Sequence, residues 1–415
     1  MKKTVSRLAV LGTLALALSA CGADPASNDA DTDADADETA PQVEGDVDVE
    51  DAGILIGGSL CLTGIQAPLD EPIMRGIQLA IDEFNDNGGL LGEEIAFVNL
   101  DGASDPVVVG NNGEQLVEMG ADAIITPADF DFGGPASRAA QSAGIVGISP
   151  GASSPLFGSE TLGDKQFTIA TWNTTMGAAA AEFGYDQGYE DAYVVTDTFI
   201  DYTASLSEYF IESWENLGGN IVAEDTYTQG DQDFSAQLQR LQGVADEVDV
   251  IFVSSYMPDL GLIIRDIRAA GIDTPILGGD SYDDPELWSV LGAEYGNDIT
   301  YATHVFLSEE ASPLVPAFLE LYEEKHGEEP DTPLVAIGYD TARALLLGME
   351  EAGTTDGDAV AQQMTEIEYE LLSGSLQWSS AEDGHEPQKE SALVSLEGGE
   401  TVFNTWVKPE WTPDP

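Results

Sequence analysis

Two doubly wound parallel α/β sheets, lying next to each other with a cleft between them, are what this sequence predicts. Short apolar runs suited to buried strands alternate with segments of helical period along most of the chain. The alternation forms two series, with a break near Trp172. The body from about Ala52 to Trp411 is also long enough to build two separate cores.

The first series opens with Ile54 to Leu60, a nearly continuous apolar run that suits a strand buried on both faces. Glu71 to Phe84 then carries Ile73, Ile77, Ala80, Ile81 and Phe84 at helical spacing, and Asn87-Gly88-Gly89 stops it. Strand Ile95 to Leu100, helix Asn111 to Met119, strand Ala123 to Thr126, helix Pro135 to Ala143 and strand Ile145 to Ser149 follow. Beyond Trp172 the second series runs helix Thr175 to Tyr185, strand Ala192 to Thr196, helix Thr203 to Leu217 and strand Ile221 to Tyr227. It continues with helix Phe234 to Val244, strand Val248 to Ser254, helix Gly261 to Ala270 and strand Pro275 to Gly278. Ligands of such sheets bind beyond the carboxyl ends of the strands. The loops after Leu60, Thr126, Ser149, Thr196, Ser254 and Leu277 are therefore where a site is expected.

The amino end reads differently. Lys2, Lys3 and Arg7 precede an apolar stretch from Leu8 to Ala20, the charged and hydrophobic regions of a secretory signal over residues 1–20 that is too short to span a bilayer as a mature helix. It ends Leu18-Ser19-Ala20-Cys21, which resembles the lipobox of bacterial lipoproteins; that resemblance implies a lipid on Cys21 and anchorage to the outer face of the cell membrane. Residues 21–51 are Ala, Asp, Glu, Thr and Pro with almost no large apolar side chain, so an acidic, disordered tether is expected. The full chain carries 77 Asp plus Glu against 13 Lys plus Arg, a formal charge of −64. No basic surface is left to neutralise phosphates, which excludes nucleic acid as a partner, and the balance suits a protein kept soluble in concentrated salt. With Cys21 assigned to lipid, Cys61 has no cysteine to pair with and reads as a small buried residue.

Six segments, in order, resemble the type I periplasmic binding proteins of the leucine/isoleucine/valine-binding class. They are Leu62-Thr63-Gly64, Asn87-Gly88-Gly89-Leu90-Leu91-Gly92, Ser104-Asp105-Pro106, Ile148-Ser149-Pro150-Gly151-Ala152-Ser153-Ser154-Pro155, Gly230-Asp231-Gln232-Asp233-Phe234-Ser235 and Gly338-Tyr339-Asp340-Thr341-Ala342. The resemblance implies discontinuous lobes, 52–172 with 300–385 and 173–299 with 386–411, joined by a three-strand hinge. It also implies an extracytoplasmic carrier that closes on a small solute, a branched-chain or other amino acid, and passes it to an ABC permease, with no cofactor and no metal.

In that family the loop after the fourth strand holds the α-ammonium and α-carboxylate of the ligand, and the matching positions here are Gly151 and Ser153. A glycine allows close backbone approach and a serine hydroxyl can donate or accept; Pro-Gly-Ala-Ser is equally good chemistry for a plain turn. Asp280 matches the acid that pairs with the ammonium, and Tyr202 and Tyr256 match aromatic walls, with a core role open for Tyr202. The sequence departs from the family at two points. Phe130, within Asp129-Phe130-Asp131-Phe132, stands where a small hydroxyl residue often serves the carboxylate, and Leu69 stands where an aromatic often lies. An amide, a urea-like molecule or a cation stacked on aromatics therefore stays open as the ligand, and Phe130 is a candidate contact.

Other classes fit less well. Gly147-Ile148-Ser149-Pro150-Gly151 satisfies the hydrolase pattern G-x-S-x-G, yet the oxyanion hole needs a backbone N–H on the residue after the serine, and Pro150 has none. His304, His326 and His385 lack metal-ligand spacing, and no Walker A or G-x-G-x-x-G motif is present. A ligand-sensing receptor domain is the remaining alternative, since the same fold can report closure to a signalling partner.

Overall fold

Six strands form the first sheet, in the spatial order Gln42–Glu44, Ile95–Asn99, Ile54–Gly58, Ala123–Ile125, Val146–Ser149 and Gln166–Thr168. All neighbours are parallel except the outermost pair, where Gln42–Glu44 runs antiparallel to Ile95–Asn99. This computed structural model describes residues 42–44 and 52–415 other than Gln232 and Gly399. The expected signal, Cys21 and residues 22–41 and 45–51 of the tether lie outside the described residues, whereas 42–44, expected to be disordered, form an edge strand against Ile95–Asn99. Every residue of strands Ile54–Gly58 and Ile95–Asn99 is buried, as their unbroken apolar runs predict for strands covered on both faces.

Helices start earlier than periodicity alone suggested, because polar caps and prolines precede the apolar stripe. Helix Pro106–Glu118 begins on Asp105, whose carboxylate accepts the Val107 N–H at 2.8 Å, with Pro106 in the first turn where its missing N–H is not needed. Helix Phe130–Ala143 begins a full turn before Pro135, from Asp129 in extended conformation. This puts Asp129 at the mouth of a helix directly beyond a strand end.

The late segment covers the first sheet. Helix Leu334–Ala352 packs along helix Ala67–Asp86, and their apolar faces share one core with Ile56, Phe97, Ile125 and Ile148. Two glycines set the approach: a Cβ on Gly76 would lie 1.9 Å from the Val335 carbonyl oxygen, and one on Gly338 would lie 1.9 Å from the Ile73 carbonyl oxygen. Strands Tyr369–Leu371, Gly374–Trp378 and Pro387–Gln388 form a small antiparallel sheet beside this core.

The second sheet has seven strands, ordered Glu400–Val407, Ser391–Glu397, Ile299–Thr303, Ile276–Gly278, Val250–Ser254, Asp191–Asp197 and Asn220–Tyr227. The five from Ile299–Thr303 onward are parallel, and the two terminal strands add an antiparallel edge. We call the first sheet with its helices lobe 1 and the second lobe 2.

The chain passes between the sheets three times: after Thr168, after Thr303 and after Gln388. Ile299–Thr303 is an interior strand of lobe 2 and Pro387–Gln388 pairs with a lobe 1 strand, so the second and third passages fall slightly later than Thr300 and His385. The passages meet at Thr171. Its N–H donates to His304 Nδ1 at 3.2 Å and its hydroxyl to the Glu390 carbonyl at 3.4 Å. Lys389, fully buried here, donates to the Ile169 carbonyl at 3.1 Å and the Ser373 hydroxyl at 2.9 Å, and burial pushes its ammonium down to about 8.

Candidate functional site

The loops at the carboxyl ends of both sheets face one another. From lobe 2, strand Ile276–Gly278 ends in Gly278-Gly279, and a Cβ on Gly279 would lie 2.8 Å from the Tyr202 hydroxyl, so the glycine is what lets that ring reach the strand end. The Ser281 N–H donates to the Tyr202 oxygen at 3.1 Å, and the Asp280 carboxylate lies beside the same phenol. Tyr202 and Tyr256 are each 5% exposed and meet edge to face, ring centres 6.5 Å apart. Burial, with Asp280 near Tyr202 and Asp129 near Tyr256, drives both phenols well above their usual range, so both remain protonated donors.

Asp280 Oδ2 lies 2.9 Å from His304 Nε2. The other ring nitrogen already accepts the Thr171 N–H, which fixes the imidazole as the neutral tautomer with its proton on Nε2. His304 thus hydrogen-bonds Asp280 without cancelling its charge. Asp280 Oδ1 is buried and has no partner.

From lobe 1, Asp129 is the residue that faces this group. Its Oδ2 accepts the Gln66 amide at 2.5 Å and, from across the cleft, the Tyr256 hydroxyl at 3.0 Å. Burial first, and then the charge of Asp280, push Asp129 up to about 7. Asp70 sits behind it, accepting the Cys61 N–H at 2.8 Å and the Ala128 N–H at 3.1 Å, and burial raises it to about 8. Asp70 therefore clamps the loop after the first strand to the loop that carries Asp129. Two further bridges join the lobes: the Asp201 N–H donates to Asp131 at 2.9 Å, and the Ser154 hydroxyl donates to the Asp201 carboxylate.

Gly151 and Ser153 occupy the loop after Val146–Ser149. The Ser153 hydroxyl donates to the Gly151 carbonyl at 3.0 Å, and the Ser153 carbonyl accepts the Asn173 N–H at 2.7 Å, which ties the loop to the first passage between lobes. Phe130 packs with Ala152, Phe157 and Leu162, with the Arg138 guanidinium 5.9 Å from its ring centre. Of the motif that holds it, Asp129 and Asp131 make the contacts to lobe 2. Leu69 is half-buried and lines a cavity of about 190 Å³ between the lobes, walled also by Ile65, Tyr256, Met257 and Ser281.

Asp129, Gln66 and His304 were not singled out by sequence. The doubled Asp-Phe of 129–132 was the available signal for Asp129, since a charged residue next to buried aromatics at a strand end has to find partners. Gln66 and His304 carried none, because each acquires its role from a residue remote in sequence.

A family description, Periplasmic binding protein, matches residues 53–400. The chain belongs to that family. This periplasmic binding protein is 27% identical over 316 residues to Leu/Ile/Val-binding protein homolog 1 of Brucella melitensis, covering 76% of this chain and 83% of the relative. A leucine-binding protein of Thermotoga maritima superposes with a TM-score of 0.77 at 28% identity, covering 86% of this chain and 99% of the other. A branched-chain amino acid transporter substrate-binding protein of Streptococcus pneumoniae, solved in complex with isoleucine, gives 0.77 at 27% with the same coverage. The expected fold and family are both borne out. Among the described residues of this periplasmic binding protein, no helix is long and apolar enough to cross a membrane, and no group of three or more His, Cys, Asp or Glu could hold a metal ion.

Proposed function

We propose that the protein is an extracytoplasmic solute carrier that traps a small, ammonium-bearing molecule of the amino-acid class between its lobes and delivers it to an ABC importer. The observation that carries this reading is Asp280: a strand-end carboxylate with one buried oxygen lacking a partner, flanked by two protonated tyrosines at the junction of the lobes. An ammonium there gains a charge-assisted hydrogen bond that exists only when the lobes are together, so binding and closure reinforce each other. Gly151 and Ser153 offer a backbone and a hydroxyl on the opposite side, and Phe130 stands behind that loop. The relatives that bind leucine, isoleucine or valine support the amino-acid class.

The protein is read as a binder without catalytic chemistry. The Leu18-Ser19-Ala20-Cys21 motif supports export and a lipid on Cys21, which metabolic labelling with a fatty acid tests. For the site, the test is a thermal-shift screen of amino acids and their amides in molar salt. Asp280→Ala is expected to abolish the shift while leaving a cooperative unfolding transition; an undiminished shift would sink the assignment.

A further inference from the structure

Asp129 and Asp280 come from different lobes, yet the charge of one is felt by the other. Neither meets a formal positive charge. Among the described residues no Lys, Arg or His lies within ion-pairing distance of Asp129, and the partner of Asp280 is the neutral imidazole of His304. The donors around the pair, the Gln66 amide and the phenols of Tyr202 and Tyr256, are uncharged as well. A carboxylate-bearing ligand brought beside this pair would add negative charge to a buried site that already holds two carboxyl groups and where, among the described residues, no cation receives it.

Two further observations point to a guest. Gln66 is fully buried; its amide nitrogen is spent on Asp129 while its carbonyl oxygen has no partner, leaving an acceptor beside Asp129 for an N–H of the ligand. The neighbouring cavity, about 190 Å³, is walled by apolar side chains from both lobes, and besides Tyr256 its only ionisable lining residues are the acids Asp284 and Glu286. An apolar body therefore has a place to lie and an amine has acceptors to reach, while a carboxylate finds no cation.

We propose that the ligand carries a net positive charge, an amine whose carboxylate is absent, masked as an amide or outnumbered by basic groups, and that Asp129 and Asp280 hold it from opposite lobes with Gln66 accepting one of its N–H groups. Asp129 is then the specificity-determining residue: Asp280 accepts any ammonium, and the second acid selects against a zwitterion. The inference rests on the amino-acid reading of the site and narrows it.

The experiment compares leucine with leucinamide, and lysine with lysinamide, by calorimetry in molar salt at pH 7, where the α-amines of the amides stay mostly protonated, on the wild-type protein, Asp129→Asn and Asp280→Asn. Each amide carries a neutral carboxamide in place of its parent's carboxylate. The amides are expected to bind about tenfold or more tightly than their parents, and Asp129→Asn to shrink that ratio to about twofold while its unfolding midpoint without ligand shows a folded protein. Asp280→Asn is expected to weaken all bound probes. Leucine binding as tightly as leucinamide, or a ratio untouched by Asp129→Asn, would overturn the inference and leave the amino-acid reading standing. Silence from all four probes would overturn that reading, and the inference falls with it.

Discussion

Asp129 has a proton equilibrium near neutrality in the folded protein and near 3.8 when unfolded. Burial contributes most; Asp280 from lobe 2 and Asp131 from its own helix add repulsion, and Gln66 and Tyr256 supply only neutral donors. Because the folded state holds this proton more tightly, the ligand-free protein loses the corresponding stability as pH rises from about 4 to about 7. A cationic ligand reverses the sign, since it binds the ionised acid. For a ligand whose amine stays protonated throughout, affinity is expected to rise from pH 6 to pH 8 and level off, and the slope should vanish in Asp129→Asn; titration calorimetry at several pH values checks this. The sequence marked Asp280 through its place after Leu277-Gly278-Gly279. It did not mark Asp129, because what distinguishes that residue is the Tyr256 hydroxyl arriving from the opposite lobe, and no local pattern encodes a contact of that range.

At the scale of elements, most strands and helix cores between Ile54 and Gly278 were legible, because burial on both faces writes a continuous apolar run and burial on one face writes a period, while strands Gln166–Thr168 and Gly374–Trp378 were not marked by either pattern. Helix starts were not legible either, since the first turns after Asp105 and Asp129, Pro-Val-Val-Val-Gly and Phe-Asp-Phe-Gly-Gly, show no helical period. The pairing of helices Ala67–Asp86 and Leu334–Ala352 was likewise invisible, although the glycines that permit it stood in the open. Neither Gly76 nor Gly338 is needed for an unusual backbone angle; each is there because the other helix's carbonyl occupies the place of a Cβ. Gly338→Ala is therefore expected to cost about 1–3 kcal/mol or more, through overpacking against backbone that cannot step aside. Urea unfolding checks this, and a change below about 0.5 kcal/mol would mean the helices separate freely. Gly110→Ala serves as the control, its nearest neighbour being the Pro135 side chain at 3.2 Å.

Over the whole molecule, self-repulsion dominates the electrostatics. A formal charge of −64 opposes any compact state, and added salt weakens that opposition as the screening length falls from about 10 Å at 0.1 M to about 3 Å at 1 M. The thermal midpoint is expected to climb steeply with sodium chloride over that range, with most of the gain also obtained from potassium chloride; a flat response in scanning calorimetry would argue against salt adaptation. The buried polar contacts of the site are less exposed to screening, so ligand preference should persist where surface charge effects have faded. The discontinuous layout has a consequence for biogenesis. A chain threaded out of the cell amino end first exposes the groove at Gly76 long before the helix that fills it has emerged, since that helix starts at Leu334. Lobe 1 cannot lock early, and the polypeptide stays pliable enough for passage through a secretion pore until nearly all of it has been delivered.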